Sequence, residues 1–204
     1  MNTVVVNGKK RTELGKKATK AVRKDGGIPC VLYGSGDPVH FTTTHAAVKK
    51  LIFTPKFQLA EIDVDGSTQK SIIKSVQYHP VTENIEHIDF LALEDGKPVR
   101  VELPVRFRGK SPGILAGGRL VQSMRRVKVK TTPENLVDEL VLDISKMELG
   151  SAIRVRDIDS IEGLQVMSAP ATPVALVEIP RALRSAATAA AKEAGKAAPA
   201  KEEA

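Results

Sequence analysis

Apolar and polar residues alternate most regularly near the middle of the chain, where Val99, Val101, Leu103, Val105 and Phe107 interleave with Arg100, Glu102, Pro104, Arg106 and Arg108. A period of two sends one set to a buried face and the other to water, so this run predicts a strand. Val127 and Val129, set between Arg126, Lys128 and Lys130, repeat the pattern, and Leu140, Leu142 and Ile144 continue it. Earlier in the chain Thr3–Val6 is β-branched, Ile28–Tyr33 is apolar, and Gln58–Val64 and Gln69–Tyr78 flank an Asp65-Gly66 pair that marks a tight hairpin. In the first hairpin arm Ala60, Ile62 and Val64 share one side and Glu61 and Asp63 the other, as in a sheet with one wet face. Thr44 stands where it can cap a helix reaching about Phe53, with Val48, Leu51 and Ile52 on one helical face.

These elements predict a mainly β protein. An N-terminal unit, residues 1–93, has the strands and one or two helices of a small barrel or curved sheet. The polar, turn-rich run Glu94-Asp95-Gly96-Lys97-Pro98 marks a junction, after which residues 94–182 form a second β-rich domain ending near Ile179-Pro180. Residues 183–204 are alanine-rich with scattered Lys and Glu and no apolar stripe, and predict a mobile, disordered tail. No internal repeat of fixed period is present.

Composition narrows the class of partner. Aromatic residues make up 3% of the chain, with no Trp and two Tyr, which disfavours a surface that stacks many single-stranded bases. No apolar run approaches the ~20 residues of a membrane span, and Met1–Lys10 lacks the features of a signal peptide, so a cytoplasmic protein without a membrane partner is expected. The single cysteine, Cys30, sits among Pro29, Val31 and Leu32 and reads as a buried thiol of a reducing compartment. The net charge is +7 and is unevenly spread. Lys9–Lys24 carries eight bases (Lys9, Lys10, Arg11, Lys16, Lys17, Lys20, Arg23 and Lys24) against the single acid Glu13. Arg100–Lys130 has nine bases against Glu102, whereas Glu134–Glu162 holds eight acids and three bases. Focused positive charge points to a polyanion, because each phosphate contact releases counterions.

Signals for catalysis are missing. His40, His45, His79 and His87 have no metal-ligand spacing and no cysteine partner, so neither a metal nor a cofactor is expected. No nucleophile elbow or phosphate-binding glycine loop occurs, and Gly117-Gly118 reads as a loop ahead of a strand. The most informative cluster is Glu86-His87-Ile88-Asp89-Phe90, in which a strand would project His87 and Asp89 from the wet face and bury Ile88 and Phe90. His87 and Asp89 fit an ordinary surface pair, a base with its orienting group, or a contact to RNA in which Asp89 accepts from a base amino group or a ribose 2′-hydroxyl. The enzyme reading lacks an accompanying nucleophile or oxyanion motif, so no small-molecule substrate is expected. Tyr33, at the end of its strand before Gly34-Ser35-Gly36, fits either a half-buried core edge or a ligand contact.

Arg11-Thr12-Glu13-Leu14-Gly15-Lys16-Lys17-Ala18-Thr19, Arg23, Ile28-Pro29, Leu32-Tyr33-Gly34, Tyr78-His79-Pro80 and His87-Ile88-Asp89-Phe90, in that order, resemble the bacterial 5S-rRNA-binding ribosomal protein family that includes general stress protein CTC. Val105–Gly109, Pro112-Gly113, Ala116-Gly117-Gly118 and Leu149-Gly150 resemble the second domain of its longer, CTC-type members. The resemblance implies an N-terminal β-barrel lying along the minor groove of the loop E region of 5S rRNA in the large ribosomal subunit. It implies contacts from Lys17, Thr19, Tyr33, His87 and Asp89, with Gln77 and Arg23 at further positions near the RNA. The hydroxyl position is commonly serine in that family, so Thr19 departs from the pattern; a β-branched hydroxyl makes the same bond where its rotamer allows. Phosphate contacts from Lys9, Lys10, Arg11, Lys16 and Lys20 would hold register while Tyr33, His87 and Asp89 read the groove. Neighbouring ribosomal RNA and proteins are expected partners of the second domain. A tRNA-binding domain, a generic RNA-binding stress protein and a scaffold held by its two-faced second domain are the competing readings.

Overall fold

In the computed structural model, residues 2–158 and 163–181 are described. The tail expected at 183–204 lies outside them. By compactness the described residues divide into one unit of 2–104, Arg126–Leu140 and 163–167 and a second of Val105–Arg125, 141–158 and 168–181.

The first unit contains a closed barrel. Its strands are β1 (Thr3–Lys10), β2 (Gly27–Tyr33), β3 (Val39–Thr44), β4 (Leu59–Val64), β5 (Ser67–Tyr78) and β6 (Ile85–Ala92), with helix α1 (Lys16–Lys24) between β1 and β2 and helix α2 (His45–Ile52) after β3. Around the barrel the order is β1-β3-β2-β6-β5-β4, and parallel pairing of β1 with β4 completes the ring. Asp65 and Gly66, both at positive φ (53° and 84°), form the hairpin turn between β4 and β5. Ala60, Ile62 and Val64 of β4 are buried and Glu61 and Asp63 are not, as their alternation requires. Inside the barrel they meet Val6, Cys30, Leu32, Phe41, Ile88 and Phe90, with Val48 and Leu51 of α2 closing the same core.

Three local features depart from expectation. The first strand does not stop at Val6 but runs to Lys10, because the backbone of Lys9 and Lys10 pairs with Thr42 and Phe41. Thr44 occupies the position before α2, yet its side chain makes no capping bond. The basic segment contains α1, a helix with no buried residue and hence no core stripe in its sequence.

After the barrel come β7 (Val99–Arg108), a short helix α3 (Pro112–Leu115), β8 (Arg119–Gln122), β9 (Arg126–Thr131), β10 (Leu140–Asp143), β11 (Ala152–Arg154), β12 (Leu164–Val166) and β13 (Pro173–Glu178). Strands β10-β7-β9-β12 form one sheet and β11-β13-β8 another. Val99, Val101, Leu103 and Val105 of β7 are buried, as are Val127 and Val129 of β9 and Leu140 and Leu142 of β10. In the second unit Ile144, Met147 and Val177 are buried against Phe107, Leu120 and Ile153. Loop 109–118 folds onto the same region: Ser111 Oγ donates to the Met147 carbonyl at 2.6 Å, and Gly113 N–H donates to it at 3.0 Å. A Cβ on Gly113 would stand 2.6 Å from the carbonyl carbon of Glu148, a backbone atom that cannot swing aside. Gly113→Ala is therefore expected to cost ~1–3 kcal/mol through overpacking. Urea unfolding of the variant would read this, and an unchanged midpoint would refute the close approach.

Candidate nucleic-acid interface

Strands β2, β6 and β5 lie side by side, and register sets which residues share their outer face. Cys30, Ile88 and Val76 form a row whose first two members are buried in the core, so the flanking rows point outward. One row on that side runs Lys9, Thr42 and Pro29 on β1, β3 and β2, with Pro29 itself buried, and continues through His87 of β6 to Gln77 of β5. The next contains His40, Val31, Asp89 and Ser75. Tyr33 lies two residues beyond Val31 on the same side of β2.

Asp89 is the centre of this face. Its Oδ2 accepts a hydrogen bond from Ser75 Oγ at 2.7 Å, and its Oδ1 lies 2.7 Å from His87 Nδ1. The second contact has the distance of an ion pair but not the alignment of a hydrogen bond, and Nδ1 is shielded from solvent. The imidazole is thus held close to the carboxylate with Nε2 as its other functional atom. Both side chains are about a quarter exposed, so the pair is neither core nor freely solvated. Partial burial, and after it the charge of Asp89, push the Tyr33 phenol above its usual range of about 10. At neutral pH Tyr33 is therefore an O–H donor beside an acceptor carboxylate.

The basic segment borders this face. Gly27 admits α1 closely, since a Cβ there would stand 3.0 Å from Val22 Cγ1 and 2.8 Å from Thr42 Cγ2. Arg23 Nε donates to the Glu86 carbonyl at 3.0 Å, which fixes this end of α1 next to the residue preceding His87. Arg11 donates its backbone N–H to the His40 carbonyl at 2.8 Å and its guanidinium to Thr19 Oγ1 at 3.4 Å. Thr19 Oγ1 in turn donates to the Gly15 carbonyl at 2.9 Å, so its proton is engaged within the helix and the oxygen is left as an acceptor.

The residues singled out from the sequence thus fall into groups. Tyr33, Gln77, His87 and Asp89 come together on three neighbouring strands, with Arg23 at their edge. Lys9 shares an outward row with His87 and Gln77, and Arg11 joins Thr19. Lys16, Lys17 and Lys20 are exposed on α1 and make no bond to the cluster, and Lys10 shares the pleat side of buried Phe41. Sequence reasoning missed Ser75 and His40. Ser75 was accessible in principle, standing two residues before Gln77, but its pairing with Asp89 depends on the bulge between Ile73 and Ser75. Among the described residues no group of three or more His, Cys, Asp or Glu is placed to hold a metal, and no helix is long and apolar enough to cross a membrane.

The sequence model of the Ribosomal L25p family matches residues 6–90, and that of the C-terminal domain of ribosomal protein TL5 matches residues 98–181. The chain is 44% identical over 189 residues to the large ribosomal subunit protein bL25 of Porphyromonas gingivalis, covering 92% of this chain and 98% of the relative. It is 39% identical over 197 residues to the protein of that name from Bacteroides thetaiotaomicron (94% and 100% covered). With the protein of that name from Cytophaga hutchinsonii it shares 38% identity over 193 residues (95% and 100% covered). At such identity over nearly the whole of each relative, and with both models matching in order, the chain belongs to the Ribosomal L25p family.

Proposed function

We propose that this protein is a non-enzymatic structural constituent of the large ribosomal subunit, in the cytoplasm, and that its barrel binds 5S rRNA along the minor groove of loop E. Its relatives are named as large ribosomal subunit proteins, which supports the ribosomal role and neighbouring ribosomal RNA and proteins as partners. The same reading divides the chain near residue 93, consistent with the family models ending at 90 and resuming at 98.

The observation that carries the RNA-binding reading is Asp89, held by Ser75 and His87 on an outward face bordered by basic α1. A carboxylate repels phosphate, so its place there suits an acceptor for donors other than phosphate. The wide minor groove of A-form RNA offers such donors in 2′-hydroxyls and base amino groups. Tyr33 supplies a neutral donor alongside, and Lys9, Lys17, Lys20 and Arg23 provide cations for the backbone.

The test is binding of the full chain to a loop E fragment of 5S rRNA and to a regular RNA duplex of equal length, across a salt series. The parent is expected to prefer the fragment, and Asp89→Ala to lose ~1–3 kcal/mol of that preference while its salt dependence is kept. Equal binding of both RNAs, with no response to Asp89→Ala, would reject the loop E assignment; tighter binding of tRNA would favour a tRNA-binding domain.

A further inference from the structure

Along β5 the first unit contains a groove of about 480 Å³. Its charged lining is Lys56, Lys74, Arg100 and Arg126 with the single acid Glu102, and all five side chains are exposed. Glu102 is itself drawn to Lys128, 3.8 Å away, so the groove is cationic. The bulge between Ile73 and Ser75 inserts Lys74 as an extra residue of β5, and Lys74 Nζ reaches the Arg100 carbonyl at 3.4 Å. The bulge thus places the Lys74 ammonium in the groove next to the hydroxyl that bonds Asp89.

That hydroxyl belongs to Ser75, which lines the groove and also holds Asp89. The groove and the Asp89 face are therefore continuous across one residue. Four cations in a concavity concentrate positive potential more strongly than the same charges on a convex surface. Their spacing on separate elements suits a chain of phosphates rather than one ion, and the two planar guanidinium groups can each take a phosphate by two bonds.

We propose that this groove is a second RNA-binding surface, which takes the phosphodiester backbone of the RNA that lies on the Asp89 face and contributes affinity without reading sequence. The proposal rests on the RNA-binding reading above and adds to it a place for backbone outside the barrel's Tyr33–Asp89 face.

The test uses the full chain with the loop E fragment extended by flanking 5S rRNA helix, and a regular duplex of the same length, from 50 to 200 mM KCl. The parent is compared with Lys74→Ala/Arg126→Ala and with Lys146→Ala, an exposed cation of the second unit. Loss of two phosphate contacts should lower the slope of log affinity against log salt by about 2, so that over this range the parent loses roughly tenfold more affinity than the double variant. The fall is expected on both RNAs, with the fragment's advantage over duplex unchanged. An unaltered slope would overturn the proposal, leaving an acidic protein segment as the partner that the charge fits; a per-residue fall as large in Lys146→Ala would overturn it too, by marking the effect as bulk charge. Loss of discrimination by the parent would instead reject the loop E assignment while the duplex series still tests the groove.

Discussion

Truncating Phe90 to alanine is expected to lower folding stability by ~3–5 kcal/mol, the usual range for removing a buried ring and leaving a cavity. Phe90 is fully buried, and its ring packs on Phe41 with centroids 5.8 Å apart at 34°. Little can move in to fill the void, because Phe41, Ile62 and Ile88 are themselves among the most buried side chains. The functional consequence follows from β6 having two sides. Phe90 and Ile88 anchor the strand from within, while His87 and Asp89 project from its other face. Phe90→Ala should therefore loosen the positions of His87 and Asp89 as well as the core. Denaturant titration monitored by circular dichroism gives the stability change, and a loss below ~1 kcal/mol would mean that the ring is not part of the packed interior.

A second large effect is expected in alkali. Burial, reinforced by the Asp89 carboxylate and opposed by Arg11, pushes the Cys30 thiol up from 9.0 to about 12. The native protein consequently keeps a proton that the unfolded chain releases above pH 9. Stability from this group is complete below pH 9 and is lost as pH rises through 12. The loss is about 1 kcal/mol at pH 10 and approaches ~4 kcal/mol near pH 12. Cys30→Ala removes the titrating group. Unfolding free energies measured from pH 7.5 to 10.5 should fall more steeply for the parent than for the variant, the gap opening only above pH 9. Parallel curves would show that the thiol is not desolvated.

Local patterns were legible wherever one residue type served one purpose. The Asp65-Gly66 turn needed only two adjacent residues able to adopt positive φ, and β7 announced itself because each apolar residue met the core and each charged one met water. The Glu86–Phe90 run was readable for the same reason: alternation alone separates His87 and Asp89 from Ile88 and Phe90. Helix α1 was not readable, because Ala18 and Val22 are only partly covered and its start at Gly15 has no capping side chain. The extension of β1 through Lys9 and Lys10 was equally hidden, since pairing with β3 is a property of backbone groups and not of lysine. For the candidate site, the residue types were visible but their registration was not. That Ser75 faces Asp89 and Gln77 faces His87 follows from a bulge and an antiparallel register that no single strand encodes.

The two parallel pairings of the barrel bear on the order in which the chain is made. Thr3 sits opposite Leu59, and Cys30 sits opposite Ile88, so the ring joins segments far apart in sequence and must pay loop entropy before contacts repay it. During synthesis Tyr33 and the basic helix emerge long before β6, which is the last strand of the barrel and the one that lies between β2 and β5. A nascent chain that stops short of Ile85 carries the cations of the basic segment but lacks His87, Asp89 and the strand that brings Tyr33 near them. Attraction to a polyanion is thus available early, whereas directional recognition arrives only with the completed barrel.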